Sequence, residues 1–245
     1  MFTGDLSYDD EGVSLRGYSA YDETVAGRRP GVLVLHEGLG LNAHAMERAD
    51  RLARLGYVAL AHDMFGDRRQ AGSLEGARAL MGPLAAQPAK LRARGRAGLA
   101  ALAALPQVDP ERLAAIGFCF GGSVALELAR EGAKLVAVVS LHGTLASKAP
   151  AVAGNVRARI LVLTGADDPL VPAAQVIAFE QEMRAARVED WQLISYGKTL
   201  HGFTNPAADG SILPSARYHP RSDRRAWAAM GQLLAEAFAA QSAAD

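Results

Sequence analysis

Residues 113–122, Leu113-Ala114-Ala115-Ile116-Gly117-Phe118-Cys119-Phe120-Gly121-Gly122, carry the strongest structural signal in the chain. An apolar run leads into a lone cysteine, and two glycines lead out of it into an alanine- and leucine-rich segment. This order predicts a buried strand, a tight turn and a helix. The pattern Gly-x-Cys-x-Gly is typical of a nucleophile elbow, which holds a reactive side chain at the carboxyl edge of a sheet. Its small residues are needed because bulky ones would crowd the turn.

Cys119 allows two interpretations. Most free cysteines are small buried hydrophobic residues. Here the preceding strand, the flanking glycines and the following helix favour a catalytic role instead. The N-terminus of a helix stabilises a thiolate and an oxyanion through its dipole and its free N–H groups. We therefore predict that Cys119 is a nucleophile, and such a residue requires a histidine and an acid later in the chain.

Apolar runs and helical patterns alternate through the rest of the chain. This alternation predicts the α/β class, with a mostly parallel central sheet and helices on both faces. A hairpin is expected near Val13–Tyr18 and a turn at Val108–Glu111. No repeat or linker is evident, so residues 1–245 are predicted to form a single domain. The other predicted strands are Gly31–His36, Tyr57–Ala61, Leu135–Leu141, Ile160–Thr164 and Trp191–Tyr196.

Composition narrows the functional classes. The 26 basic and 26 acidic residues balance, which argues against a nucleic-acid partner. The single cysteine excludes an intrachain disulfide and favours a cytoplasmic location. No apolar run is long enough to span a bilayer, and the polar, acidic N-terminus is unlike a signal peptide. We expect a small-molecule substrate, no membrane partner, and a monomer or small homo-oligomer.

In a site of this kind, the acid and the histidine come after the nucleophile in the sequence. Asp167 and Asp168 follow the predicted strand Ile160–Thr164, at the edge of the sheet where ligands bind. Either could orient a histidine, while the other serves the turn. His201 follows the last predicted strand and comes after both aspartates, which selects it among six histidines. His142, at the end of another strand, is the reserve candidate.

Four motifs show that the chain resembles the dienelactone hydrolase family. They are His36-Glu37-Gly38, the elbow, Gly165-Ala166-Asp167-Asp168-Pro169-Leu170-Val171-Pro172 and His201-Gly202-Phe203-Thr204-Asn205-Pro206. The resemblance implies an α/β-hydrolase fold and a triad of Cys119, His201 and Asp168. It also implies hydrolysis of an ester or lactone, of the carboxymethylenebutenolidase type, through a thioester intermediate. No metal or organic cofactor is expected.

Glu37 gains a role from the same resemblance. In this family the carboxylate contacts the cysteine and helps to generate the thiolate when substrate binds. The alternative is a structural carboxylate that pairs with Arg68, Arg69 or Arg94, because a buried charge is costly unless it is paired. The oxyanion hole is predicted to consist of the backbone N–H groups of Phe120 and Gly38.

The chain departs from the family at one position. Asn205 stands where the best-studied members have an arginine that binds the substrate carboxylate, and asparagine cannot replace that bidentate clamp. Arg68, Arg69 and Arg78 are candidates for a second arginine, so the charge of the substrate stays open. Candidate substrate-binding residues are Phe203, Asn205, Arg68 and Tyr218. Rival functions are a thioesterase, acyltransferase or peptidase with the same triad, or a non-catalytic redox-sensing or binding protein.

Overall fold

A computed structural model describes residues 1–242 as alternating strands and helices. The strands are β1 (Phe2–Asp10), β2 (Val13–Tyr21), β3 (Arg29–Leu35), β4 (Val58–His62), β5 (Val108–Phe118), β6 (Ala137–Leu141), β7 (Arg159–Gly165) and β8 (Trp191–Tyr196). The helices are α1 (Ala43–Arg54), α2 (Leu74–Ala85), α3 (Pro88–Ala103), α4 (Phe120–Arg130), α5 (Ala173–Ala185) and α6 (Pro220–Ser242).

The eight strands form one sheet in the order β1-β2-β4-β3-β5-β6-β7-β8. Strands β3 to β8 pair with one another in parallel, while β1 and β2 form an antiparallel hairpin at one edge and β2 pairs antiparallel with β4. The predicted mostly parallel sheet is therefore confirmed. The number of domains stays a prediction, although every one of these strands belongs to the same sheet.

One local prediction is wrong. Val108–Glu111 was expected to be a turn, because it contains Asp109 and Pro110. Instead these residues begin β5, since Val108 and Asp109 pair with Arg29 and Pro30 before the register shifts. The long-range pairing with β3 overrides the local turn preference.

Two hydrophobic cores lie on opposite faces of the sheet. Successive residues of a strand point to opposite faces, so Leu33 packs into one core and Val34 into the other. The first core contains apolar residues of α2, α3, α4 and α5, and the second contains those of α1 and α6. The predicted cover of helices on both faces is thus confirmed. Among residues 1–242, no helix combines the length and the apolar character needed to cross a membrane.

Candidate active site

The elbow at Cys119 is a sharp backbone turn between β5 and α4. Cys119 has φ 53° and ψ −116°, an unfavourable conformation for a residue with a side chain. Two glycines make this turn sterically feasible. A Cβ on Gly117 would lie 2.0 Å from the carbonyl oxygen of Gly121, and a Cβ on Gly121 would lie 2.2 Å from that of Leu35. Glycine therefore occupies the two positions where neighbouring backbone atoms leave no space for a Cβ.

His142 supports the elbow from behind. The N–H of Cys119 donates to the Leu141 carbonyl at 2.9 Å and to Nδ1 of His142 at 3.1 Å. Because Nδ1 accepts, the proton of a neutral ring is on Nε2, which donates to Oγ1 of Thr204 at 2.8 Å. Burial, together with the charge of His201, lowers the pKa of His142 well below its usual range. Both nitrogens are engaged, so the reserve candidate is not free to act as a base.

His201 and Asp168 form a buried pair beside Cys119. Nδ1 of His201 lies 2.8 Å from Oδ2 of Asp168, and the other carboxylate oxygen of Asp168 accepts from the N–H of Leu170. Asp167 is exposed, whereas Asp168 is 3% exposed. Geometry thus selects between the two aspartates that the sequence left open, and Nε2 of His201 remains for the cysteine.

His201 and Cys119 border the same two cavities. Nε2 of His201 is buried and makes no well-formed hydrogen bond within residues 1–242. Burial would lower the pKa of His201, but the charge of the adjacent Cys119 side chain and the bond to Asp168 outweigh it and raise the pKa. These interactions favour the protonated form of the His201 imidazole. Long contacts between base and nucleophile are common before substrate binds.

Glu37 follows β3 and lies at the wall of the cleft. Its Oε2 accepts a hydrogen bond of 2.6 Å from Asn205 and lies 3.4 Å from Nδ1 of His44. Burial alone would raise the pKa of Glu37, but the hydrogen bonds from His44 and Asn205 lower it to about 2. The three arginines considered as structural partners bind elsewhere, Arg68 to Asp5, Arg69 to Phe65 and Arg94 to Asp10.

Two backbone donors are free at the predicted oxyanion position. The N–H groups of Gly38 and Phe120 have no acceptor in the described part of the chain. Gly38 borders the cleft on one side of Cys119, and Phe120 borders it on the other. The loop that carries Gly38 is anchored by the bond between Gly121 N–H and the His36 carbonyl, 3.0 Å long. Free, fixed N–H groups of this kind stabilise a developing oxyanion.

The cleft has two lobes that meet at the sulfur. The first lobe has a volume of about 380 Å³ and is lined by Glu37, Gly38, Asn205 and residues 207–213. The second has a volume of about 660 Å³ and is lined by Phe120, Thr144 and Lys148 among others. Five residues border both lobes, namely Arg78, Met81, Cys119, Leu170 and His201. The position of the sulfur between two cavities suits a substrate with two parts.

Three predicted pocket residues do not line either lobe, and these predictions are corrected. Phe203 is fully buried in the second core, where it packs on Tyr196 and His142. Arg68 is held at the β1–β2 hairpin by Asp5 and by the Gly17 carbonyl. Tyr218 bonds to Asp223 at the start of α6. Asn205 does line the first lobe, and of the three candidate arginines only Arg78 lines the cleft.

Sequence reasoning missed two residues on α1. His44 and Arg48 are buried on the face of this helix that points toward Glu37. A histidine and an arginine four positions apart share a helix face, which was a usable signal. Polar residues early in a helix are usually solvated, so this spacing alone does not predict a buried pair. Arg78 has no ionic partner among residues 1–242, which leaves its charge available to a ligand.

Comparison with known proteins completes the description of the site. Residues 15–238 match the dienelactone hydrolase family. The solved structure of m3DLH is 46% identical, with a TM-score of 0.91 over 97% of this chain and 98% of that chain. A dienelactone hydrolase-like promiscuous phosphotriesterase from metagenomic libraries is 42% identical, with a TM-score of 0.90 over 96% and 98%. A Yersinia pestis protein provisionally named carboxymethylenebutenolidase is 28% identical over 236 residues, which cover 93% of this chain and 85% of that protein.

Proposed function

The chain belongs to the dienelactone hydrolase family and has an α/β-hydrolase fold, and from this premise we propose that it hydrolyses carboxylic esters or lactones with Cys119 as the nucleophile. One observation carries the proposal. The strained cysteine, the buried pair of His201 and Asp168, and two free backbone N–H groups converge on the same cleft. A binding protein or a redox sensor would not need this complete set of groups.

The reaction proceeds in two stages. The thiolate of Cys119 attacks the ester carbonyl, and the oxyanion accepts hydrogen bonds from Phe120 and Gly38. As the intermediate collapses, the His201 imidazolium gives its proton to the leaving alkoxide, and an acyl thioester remains on the sulfur. Neutral His201 then takes a proton from water, which attacks the thioester and releases the acid. The Cys119 thiolate leaves as the acid forms, and His201 keeps the proton from water, so the thiolate–imidazolium pair is restored.

An uncharged substrate suits the first lobe better than a dicarboxylate. Glu37 and Asp209 place two carboxyl groups on this lobe, and Asn205 contributes no charge. Arg78 is the one arginine or lysine on its lining, and it stands at the border with the second lobe. A substrate carboxylate near Glu37 would meet repulsion that no bidentate clamp offsets. We therefore place an apolar acyl group in the first lobe.

The proposal is tested with an uncharged aryl ester. Cys119→Ala is expected to lower kcat/KM by at least about a thousandfold, because the covalent route is lost. A His201→Gln variant is expected to accumulate the acyl group on Cys119, since deacylation lacks its base, and intact-mass spectrometry detects the added mass. Urea unfolding of both variants confirms that they fold. Retained activity in Cys119→Ala would refute the proposal, and a panel of thioesters and peptides tests the rival substrates.

A second candidate activity is the cleavage of phosphotriesters. It is favoured by the likeness to a promiscuous phosphotriesterase at 42% identity over 96% of this chain. The same thiolate could attack phosphorus, with the phosphoryl oxygen in the oxyanion site. The expected result is slow turnover of a diethyl aryl phosphate that Cys119→Ala abolishes, measured by release of the phenolate. Turnover that survives in this variant would exclude Cys119 as the nucleophile for phosphorus.

A further inference from the structure

Glu37 presents a carboxylate to the cleft although it is only 8% exposed. An isolated buried charge of this kind is strongly unfavourable unless other groups stabilise it. We infer that His44, whose tautomer is set by Arg48, is a positioning residue that holds Glu37 in its ionised form beside Cys119. The inference rests on the proposed function and on the role that the family resemblance implies for Glu37, whose carboxylate would help to generate the thiolate of Cys119.

The tautomer of His44 follows from its contact with Arg48. Nε of Arg48 donates to Nε2 of His44 at 3.2 Å. A guanidinium has only donors, so Nε2 must accept and the ring proton is on Nδ1. That nitrogen is buried, makes no well-formed hydrogen bond within residues 1–242, and lies 3.4 Å from Oε2 of Glu37. The His44 N–H is therefore next to the Glu37 carboxylate and has no competing acceptor.

Arg48 is itself fixed in place. Its side chain is 1% exposed, and its Nη2 donates to the Thr204 carbonyl at 2.5 Å and lies 3.1 Å from Oδ1 of Asp223. Its guanidinium also lies 5.4 Å from the ring of Trp227. Contacts from α6 and from the segment after His201 thus hold Arg48 against His44. The orientation of His44 is consequently set by three parts of the fold.

The second donor to Glu37 is neutral and equally fixed. Oδ1 of Asn205 accepts from the N–H of Ala207 at 2.9 Å, so its Nδ2 is the atom that donates to Oε2 of Glu37. Glu37 therefore has donors on α1 and in the segment after His201, and the buried guanidinium of Arg48 stands behind the first of them.

Removal of the His44 donor is expected to raise the pKa of Glu37. Burial raises the pKa of Glu37, and His44 is the largest opposing influence. Without it the carboxylate would take up a proton at higher pH, and a protonated Glu37 cannot assist ionisation of the cysteine. The acid limb of kcat/KM would then move upward. The titratable or charged groups around Glu37 are His44 and Arg48 on α1, His36 after β3, His142 after β6, and Cys119, His201, Arg78 and Asp209 on the cleft.

The test compares pH profiles of kcat/KM between pH 2.5 and 8 for an uncharged aryl ester, a range that begins close to the Glu37 pKa of about 2. His44→Phe is expected to move the acid limb up by about one pH unit or more, because the donor is lost. His44→Asn retains an N–H near the position of Nδ1 and is expected to recover most of the wild-type profile. It also keeps the measurement decisive if the phenylalanine variant fails to fold.

A Glu37→Gln background separates positioning from general damage to the fold. If His44 acts through Glu37, adding His44→Phe to Glu37→Gln causes no further change in the shape of the pH profile. The inference is overturned if His44→Phe lowers activity equally at all pH values, or if its shift persists in the Glu37→Gln background. Wild-type activity and profile in Glu37→Gln would also overturn it. Failure of the proposed function gives a different result, namely activity that survives in Cys119→Ala.

Discussion

The elbow and the segment 197–219 bring residues to the same cleft but are held by different forces. At the elbow, backbone packs directly on backbone, and Gly117 and Gly121 leave no room for a side chain. The segment 197–219 instead depends on hydrogen bonds from buried side chains. The Thr204 carbonyl is bound by Arg48, and the Thr204 hydroxyl is bound by His142. Steric exclusion is most severe in the first region, and the second adds polar contacts of buried side chains.

Because of this difference, we expect the elbow glycines to tolerate no larger side chain, whereas substitutions in the segment 197–219 should cause smaller losses. A steric clash in a close-packed turn cannot be relieved without moving a strand or a helix. A lost hydrogen bond costs a smaller amount, and its neighbours can relax. Substitutions in the two regions should therefore differ in size as well as in kind.

The largest expected effect comes from the bond between Asp168 and His201 of the segment 197–219. Asp168→Asn should lower kcat/KM by about a thousandfold or more, because the amide no longer stabilises the imidazolium or fixes the His201 tautomer. The measurement is steady-state hydrolysis of an aryl ester. Asp167→Asn is the matched control, since Asp167 is exposed, and it should change activity little. Equal losses in both variants would contradict the assignment of Asp168.

The packing of the elbow is tested by adding a single methyl group to Gly121. Gly121→Ala should destabilise the fold by about 3 kcal/mol or more, since its Cβ would lie 2.2 Å from the carbonyl oxygen of Leu35. Urea unfolding measures the change. Gly231→Ala in α6 meets nothing within 4 Å and should stabilise the helix by up to about 1 kcal/mol. Similar stabilities of the two variants would remove the steric argument.

A smaller loss is expected in the segment 197–219. Thr204→Val keeps the shape of the side chain but leaves Nε2 of His142 without its acceptor, which should cost about 2 kcal/mol of stability. Thr24→Val, at an exposed turn, is the control and should be nearly neutral. If Thr204→Val proved as damaging as Gly121→Ala, the two regions would not differ as described.

The smallest effect concerns selectivity. Asn205→Arg should raise the kcat/KM ratio of an anionic hemiester over a neutral ester by about tenfold, or about 1.4 kcal/mol, because a guanidinium can bind a carboxylate. The assay uses both esters with the same leaving group. An unchanged ratio would mean that residue 205 does not contact the acyl group.

The contrast also explains what could be predicted from the sequence. The residues of the elbow could be predicted because the tight turn requires glycine at fixed positions around the cysteine, and this requirement is visible in the local sequence. The parallel sheet was predicted because buried strands are short apolar runs. The preference for Asp168 over Asp167 came from family resemblance, and the structure supports it with the 2.8 Å contact to His201.

Features that depend on long-range contacts were not predictable in the same way. Val108 joins β5 only because Arg29 lies opposite it. Phe203 was expected in the pocket, but its backbone directs the ring into the core against Tyr196. The contact between Glu37 and His44 joins a loop to a helix face, and no short sequence motif indicates that these two side chains are close. Such contacts appear only once the chain is folded.

The two-lobed cleft has a kinetic consequence. Cys119 and His201 border both lobes. Once an acyl group is bonded to the sulfur in one lobe, the alcohol can depart through the other without passing it, and water can enter by the vacated route. Alcohol then leaves first and acid second, in ping-pong order. A lactone keeps its alcohol tethered to the acyl chain and cannot clear that route, so lactones should deacylate more slowly than open-chain esters of the same acid.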